Sequence, residues 1–171
     1  LLCVLCLLAA CEQAKMNPDG SHQLNEQTKS ELSNPLAQST NASELSLATI
    51  AIRSGEVVHN FSAEVAVTDE EREKGLQNRQ SLPGNFGMWF IFPGEVSTSF
   101  WMKDTFIPLD LIFVGSNYRV VDLIENAVPQ SQDLLSSDVP YQYVLEVNVG
   151  KVHELGIAAG DVVEYRVGPA E

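Results

Sequence analysis

The 171-residue chain has no cysteine after position 11: Cys3, Cys6 and Cys11 all lie in its first apolar stretch. Beyond that stretch a disulfide, a thiol nucleophile and a thiolate metal ligand are excluded. Histidine is scarce too. His22, His59 and His153 stand singly, in no spacing that resembles a zinc or iron site, and read as surface or partly buried residues. Positive charge is also in short supply, with a formal net charge of −13. From Leu47 onward 18 acidic residues face 8 basic ones, so the part expected to fold carries −10 by itself. Nucleic acid, whose phosphates require a basic face, is excluded as a partner, and direct docking onto anionic lipid is disfavoured. No Gly-x-Ser-x-Gly elbow supports a Ser/His/Asp triad, no pattern calls for a metal or cofactor, and there is no internal repeat.

No aromatic residue precedes Phe61. Within that aromatic-free part, Leu1 to Ala10 is uncharged Leu, Cys, Val and Ala. Ten residues span only ~15 Å as a helix, half of a ~30 Å hydrocarbon core, so the segment reads as the apolar region of a signal peptide. It lacks an initiating Met and a basic start, so its beginning reads as truncated. Leu8-Ala9-Ala10-Cys11 resembles the lipobox of bacterial lipoproteins, which implies a diacylglyceryl group on Cys11 and cleavage before it. An ordinary secretory signal with a chance cysteine is the plainer alternative. Acyl chains at ~0.8 kcal/mol per buried methylene would anchor the protein in a membrane. Glu12 in place of Asp implies the periplasmic face of the outer membrane, if the organism has one. Residues 11–46 form the expected tether, rich in Gln, Asn, Ser and Glu and too poor in core-forming groups to offset the entropy of ordering. Its reach is roughly 33 Å by flexible-linker scaling.

Residues 47–171 read as one β-rich domain. Leu47–Arg53 and Glu56–Val67 flank a turn at Ser54-Gly55, and Phe61, Ala63 and Val65 alternate with Ser62 and Glu64. Thr68 and Glu71 form a capping box for a helix over Asp69–Lys74 that ends at Gly75. Further strands are expected at Met88–Phe92, Ser99–Met102, Ile107–Val114, Tyr118–Ile124, Tyr141–Asn148 and Val162–Val167, with a short helix over Lys151–Leu155 ending at Gly156. Seven to nine short strands with one or two short helices predict a mainly β fold, a small sandwich or a partly closed barrel. The crossover helices of a parallel α/β fold are missing.

The densest unusual stretch runs from Phe100 to Asp110. If Phe100–Thr105 is extended, Phe100, Met102 and Asp104 face one way and Trp101, Lys103 and Thr105 the other, so each face pairs apolar bulk with charge. Asp110 alternates with Leu109, Leu111 and Phe113 and points away from their core. Met88 and Phe92 read as core, and Gly150 and Gly160 as turn positions, with Asp161 bonding the second turn.

Phe100-Trp101-Met102-Lys103-Asp104-Thr105-Phe106-Ile107-Pro108-Leu109-Asp110 resembles the hallmark of the family known as domain of unknown function 192. Supporting matches are Glu73-Lys74-Gly75-Leu76 with Arg79, Leu82-Pro83 before Gly87-Met88, Leu145-Glu146-Val147-Asn148 with Gly150, and Gly160-Asp161. The resemblance implies a compact, mainly β domain, often exported or lipid-anchored, whose biochemical role is unassigned. Asp104 stands where that family usually has Asn, Gln77 where Met is common and Val149 where Ala is common. The first departure puts in doubt any mechanism needing a neutral amide at position 104.

Three readings compete for the polar residues. Arg79, Lys103, Asp104, Asp110 and Glu146 can form a network that only stabilises turns. With Trp101 as a stacking platform and Thr105 beside it, the same residues can border a binding site for an envelope glycan, peptide or protein. A two-carboxylate hydrolase acting on an envelope glycan would draw on Asp104, Asp110 and Glu146, one as a raised-pKa acid ~5–9.5 Å from an ionised partner. The expectation is a membrane-tethered, non-enzymatic binding or assembly module, with the hydrolase as alternative. Cys11→Ser is expected to be released or left unprocessed, read by fractionation and mass; a variant still membrane-bound with unchanged mass contradicts the anchor.

Overall fold

Why does the strand Leu109–Val114 bury all six of its residues? Both faces of the sheet around it are covered. The computed structural model describes residues 45–168, and the expected signal segment, Cys11 and the tether up to residue 44 lie outside them. Nine strands and two short helices follow in chain order among the described residues. They are β1 (Leu47–Ser54), β2 (Val57–Ala66), α1 (Asp69–Lys74), β3 (Phe86–Val96), β4 (Ser99–Phe100) and β5 (Leu109–Val114). After these come β6 (Val120–Ala127), β7 (Leu135–Ser136), β8 (Tyr141–Asn148), α2 (Lys151–Leu155) and β9 (Val162–Val167). Seven strands build one sheet in the order β6-β5-β8-β3-β2-β1-β9, while β4 and β7 pair separately.

The sheet is antiparallel except where β2 runs parallel to β3 across the α1 crossover. Its ladder does not close. The β6 and β9 ends touch only at an isolated bridge between Arg119 and Val162, supported by Tyr118 and Asp161 carbonyls accepting from Val163 and Val120. The expected mainly β, sandwich-like architecture is what the chain adopts.

One core lies on the face presenting Ile50, Ile52, Phe61, Trp89, Ile112 and Leu145, closed by Val152 of α2 and by Ile157. Trp89 stacks on Tyr143 with ring centroids 5.3 Å apart and planes 4° from parallel. The opposite face of β3, β5 and β8 carries a second core of Met88, Phe90, Leu109, Leu111, Phe113 and Val144. It is roofed by Leu76, Met102 and Ile107 from the segments that follow α1 and β4. The central strands therefore read as nearly continuous apolar runs rather than alternating ones.

Most elements lie where the sequence placed them. Both helices and the strands β8 and β9 have the expected bounds, and the capping box of Thr68 and Glu71 is formed in both directions. The hairpin turn is one residue later, with Gly55-Glu56 between the paired Ser54 and Val57 and Gly55 at φ +60°. The expected strand Ser99–Met102 is corrected: pairing stops at Phe100. The Thr105 N–H bonds the Met102 carbonyl, and Asp104 sits at φ +57°, so Met102–Thr105 is a tight turn. The two-faced reading of Phe100–Thr105 falls with it. Asn and Asp are the residues besides glycine that tolerate such a φ, which accounts for Asp104 in a position where the resembling family has Asn.

Gly87 is required by close approach. A Cβ there would lie 2.4 Å from the backbone carbonyl oxygen of Glu146, whereas Gly84 has open space around it. Gly87→Ala is expected to destabilise the fold by about 1–3 kcal/mol and Gly84→Ala by less than about 0.5 kcal/mol. Urea titration of the two variants checks this; equal midpoints contradict the packing.

Candidate functional site

The second core is incomplete on the side of α1. A cavity of about 540 Å³ opens there, walled by Phe90 and Phe92 of β3, Phe100 of β4 and Trp101, with Glu146 of β8 among its lining. Its walls are held by specific contacts. Arg72 of α1 donates to the Ile91 carbonyl at 2.7 Å and lies 4.9 Å from the centre of the Phe92 ring. The Tyr141 hydroxyl donates to the Thr98 carbonyl at 2.8 Å, pinning the segment before β4. Phe100 packs edge-on to Phe90, with ring centroids 5.4 Å apart and planes 89° apart. Met102 N–H and the Thr105 carbonyl bond Ser131 and Gln130, tying the 102–105 turn to the loop beyond β6.

Glu146 is the unusual member. It projects from β8 on the same side as Val144, and its cross-strand neighbours are Met88 and Leu111. It is 6% exposed, and no hydrogen bond or ion pair to its carboxyl group occurs among the described residues. Burial among apolar side chains pushes its pKa up from 4.5 to about 8. At neutral pH it is mostly a protonated acid, able to donate one hydrogen bond into the cavity or, on ionising, to receive a cation.

The residues proposed from sequence divide. Trp101, Thr105 and Glu146 line this cavity together. Trp101 is half exposed at the rim, 45% accessible, whereas Thr105 is buried. Lys103 and Asp104 are exposed at the turn and outside the lining. Arg79 pairs with Glu64 and belongs to a neighbouring depression with Asn78 and Glu71. Asp110 lies on the other face of the sheet, fully buried. One of its oxygens accepts the Val152 N–H at 3.0 Å, capping the start of α2; the other accepts the Asn126 N–H, also at 3.0 Å. Asp110 is thus separated from Glu146 by the sheet, and the three carboxylates Asp104, Asp110 and Glu146 do not share one cavity lining.

Sequence reasoning did not include Phe90, Phe100 or the Gly75–Gln77 turn among the site residues. The two phenylalanines look like core in sequence because they are core on one side and cavity wall on the other. Glu146 did carry a signal, a lone charge inside the apolar run Tyr143–Val147. Other motif residues are structural: Asn148 donates to the Leu82 and Pro83 carbonyls, and Asp161 accepts from Ala158 N–H across the Gly160 turn. No group of three acidic, histidine or cysteine side chains able to hold a metal occurs among the described residues, and none of their helices is long and apolar enough to cross a membrane.

The family profile of domain of unknown function 192, described as "Uncharacterized ACR", matches residues 50–165. The chain belongs to this family. Its domain resembles a crystal structure from Sinorhizobium meliloti 1021 described as a candidate transcription regulator, with 34% identity, a TM-score of 0.70, and 71% of this chain and 95% of that one covered. It also resembles a protein of unknown function from Novosphingobium aromaticivorans, with 39% identity, a TM-score of 0.69, and 72% and 89% of the two chains covered. No curated protein matches.

The raised pKa of Glu146 has a measurable consequence. Between pH 4.5 and about 8 the folded chain keeps a proton that the unfolded chain has released, so stability falls as pH rises through this window and levels off above it. The fall attributable to Glu146 is roughly 4 kcal/mol, and Glu146→Gln is expected to abolish it. Urea unfolding of both proteins at pH 5 and pH 8 checks this; an unchanged pH slope in the variant places Glu146 in solvent.

Proposed function

We propose that this domain is a non-enzymatic ligand-binding module, held at the cell envelope by lipid on Cys11. The observation that carries the reading is the aromatic-walled cavity with an unpartnered, buried carboxyl group in its lining. Burying an acid without a partner costs stability, and a fold has little reason to retain it unless something else supplies the partner. Phe90, Phe92, Phe100 and Trp101 offer apolar and stacking surface, while Gln77, Ser99 and Thr105 place polar groups around the same opening. Small-ligand sites combine aromatic and apolar walls with a few placed polar groups, and this lining holds both.

An exported, membrane-tethered module would meet glycans, peptides and other envelope constituents, and the half-exposed Trp101 would present its ring to them. The hydrolase alternative loses one of its three carboxylates, because Asp110 is consumed by two backbone N–H groups on the far face. The regulator description of the Sinorhizobium protein does not transfer readily to a chain with a net charge of −13, which would repel DNA.

Screening the purified protein against envelope glycans and short peptides is expected to give saturable binding weakened at least tenfold by Trp101→Ala. Binding indifferent to Trp101→Ala, or none across the screen, refutes the module.

A further inference from the structure

We infer that the cavity takes an organic ammonium group, held by the ionised Glu146 carboxylate and by the faces of the aromatic walls. This deepens the binding-module reading and rests on it. The first ground is charge. The other charged residues lining the cavity all come from α1: Asp69, Arg72, Glu73 and Lys74, which sum to zero. Asp69 and Arg72 are paired with each other, and Arg72 is further engaged by the Val67 and Ile91 carbonyls. Ionised Glu146 therefore gives the lining its net charge, a single negative one. The complement is a single positive charge.

The second ground is the wall. Phe100 and Trp101, the more accessible of the four aromatic walls, present π-systems whose negative faces attract ammonium groups. Arg72 against Phe92 already displays this contact at the edge of the cavity. The third ground is the wider field. A chain of net charge −13 concentrates cations near its surface and repels anions, so a carboxylate or phosphate ligand would approach against the field. A neutral ligand could accept one hydrogen bond from the protonated acid, but an amide side chain would serve that purpose without the instability of a buried acid.

The inference carries a proton balance. Glu146 is protonated before binding, and the incoming ammonium displaces that proton to solvent; no covalent bond other than this O–H is made or broken. With a pKa of about 8, most of one proton is released per ligand at pH 7. Affinity rises by about tenfold or more between pH 6 and pH 8, because the ionised fraction rises with it.

Benzylammonium, benzyl alcohol and benzoate, equal in size and different in charge, test this on the full chain. Titration calorimetry in buffers of different ionisation enthalpy counts the protons released. The expected result is tightest binding of benzylammonium, with the proton release and pH rise above, and loss of its preference over benzyl alcohol in Glu146→Gln. The wild-type proton count needs no variant and stands even if Glu146→Gln folds poorly. Equal or tighter binding of benzyl alcohol or benzoate, or benzylammonium binding without proton release, overturns the ammonium inference and leaves the binding module standing. Failure of all three probes overturns the inference alone, while failure of the glycan and peptide screen overturns the module.

Discussion

The structure depends on one constraint: β3, β8 and β5 must be covered on both faces. A twisted antiparallel sheet can leave one face to water, and here the outer part of the sheet does so in part, as the alternation of buried and partly exposed residues in β1 and β2 attests. The centre cannot, because Met88, Phe90, Leu111, Phe113 and Val144 project opposite to Trp89, Ile112 and Leu145. The second set is covered by segments with little regular structure, reaching over from α1 and from the 97–108 stretch. A roof made of loops and one short helix fits less closely than a sheet or a long helix would, and the cavity is the gap it leaves.

This arrangement explains why the motif residues serve different ends. Those that anchor the roof are structural: Asn148 ties down Leu82-Pro83, Asp104 turns the chain after Met102, and Gly87 lets β3 and β8 approach. Asp110 does comparable work beneath the sheet, where its carboxylate replaces the partners that the first turn of α2 lacks. Glu146 differs from them all. It shares its strand with Asn148 and its burial with Asp110, yet among the described residues neither a backbone N–H nor a cation meets it, and its carboxyl group lines the cavity. Two carboxylates of similar burial thus have opposite chemical standing, one satisfied by the fold and the other lining a cavity with no partner among the described residues.

Much of the fold was legible in the residues themselves. The capping box at Thr68 and Glu71, the alternation in β2 and the apolar runs of β5 and β8 are local patterns, and local sterics and hydrogen bonding are enough to specify them. The Met102–Thr105 turn was not legible. Bulky aromatic and sulfur side chains around it favour an extended reading, and only the contacts of Met102 with the second core and of Thr105 with Gln130 decide otherwise. The candidate site was legible in part: Trp101, Thr105 and Glu146 meet, whereas Arg79, Lys103, Asp104 and Asp110 do not join them.

By itself, then, the sequence determined the element types, the mainly β class, the family and the exclusion of thiol chemistry beyond Cys11, since each follows from residue identity at short range or over the whole pattern. The tertiary structure alone decided which charged residues are satisfied and which face a cavity. Asp110 and Glu146 lie on neighbouring strands, and sequence gives each the same apolar surroundings. Side chains on adjacent positions of a strand point to opposite faces, and what waits on each face is contributed by chain segments far away in sequence. For Asp110 that is the start of α2; for Glu146 it is a cavity partly walled by aromatic rings.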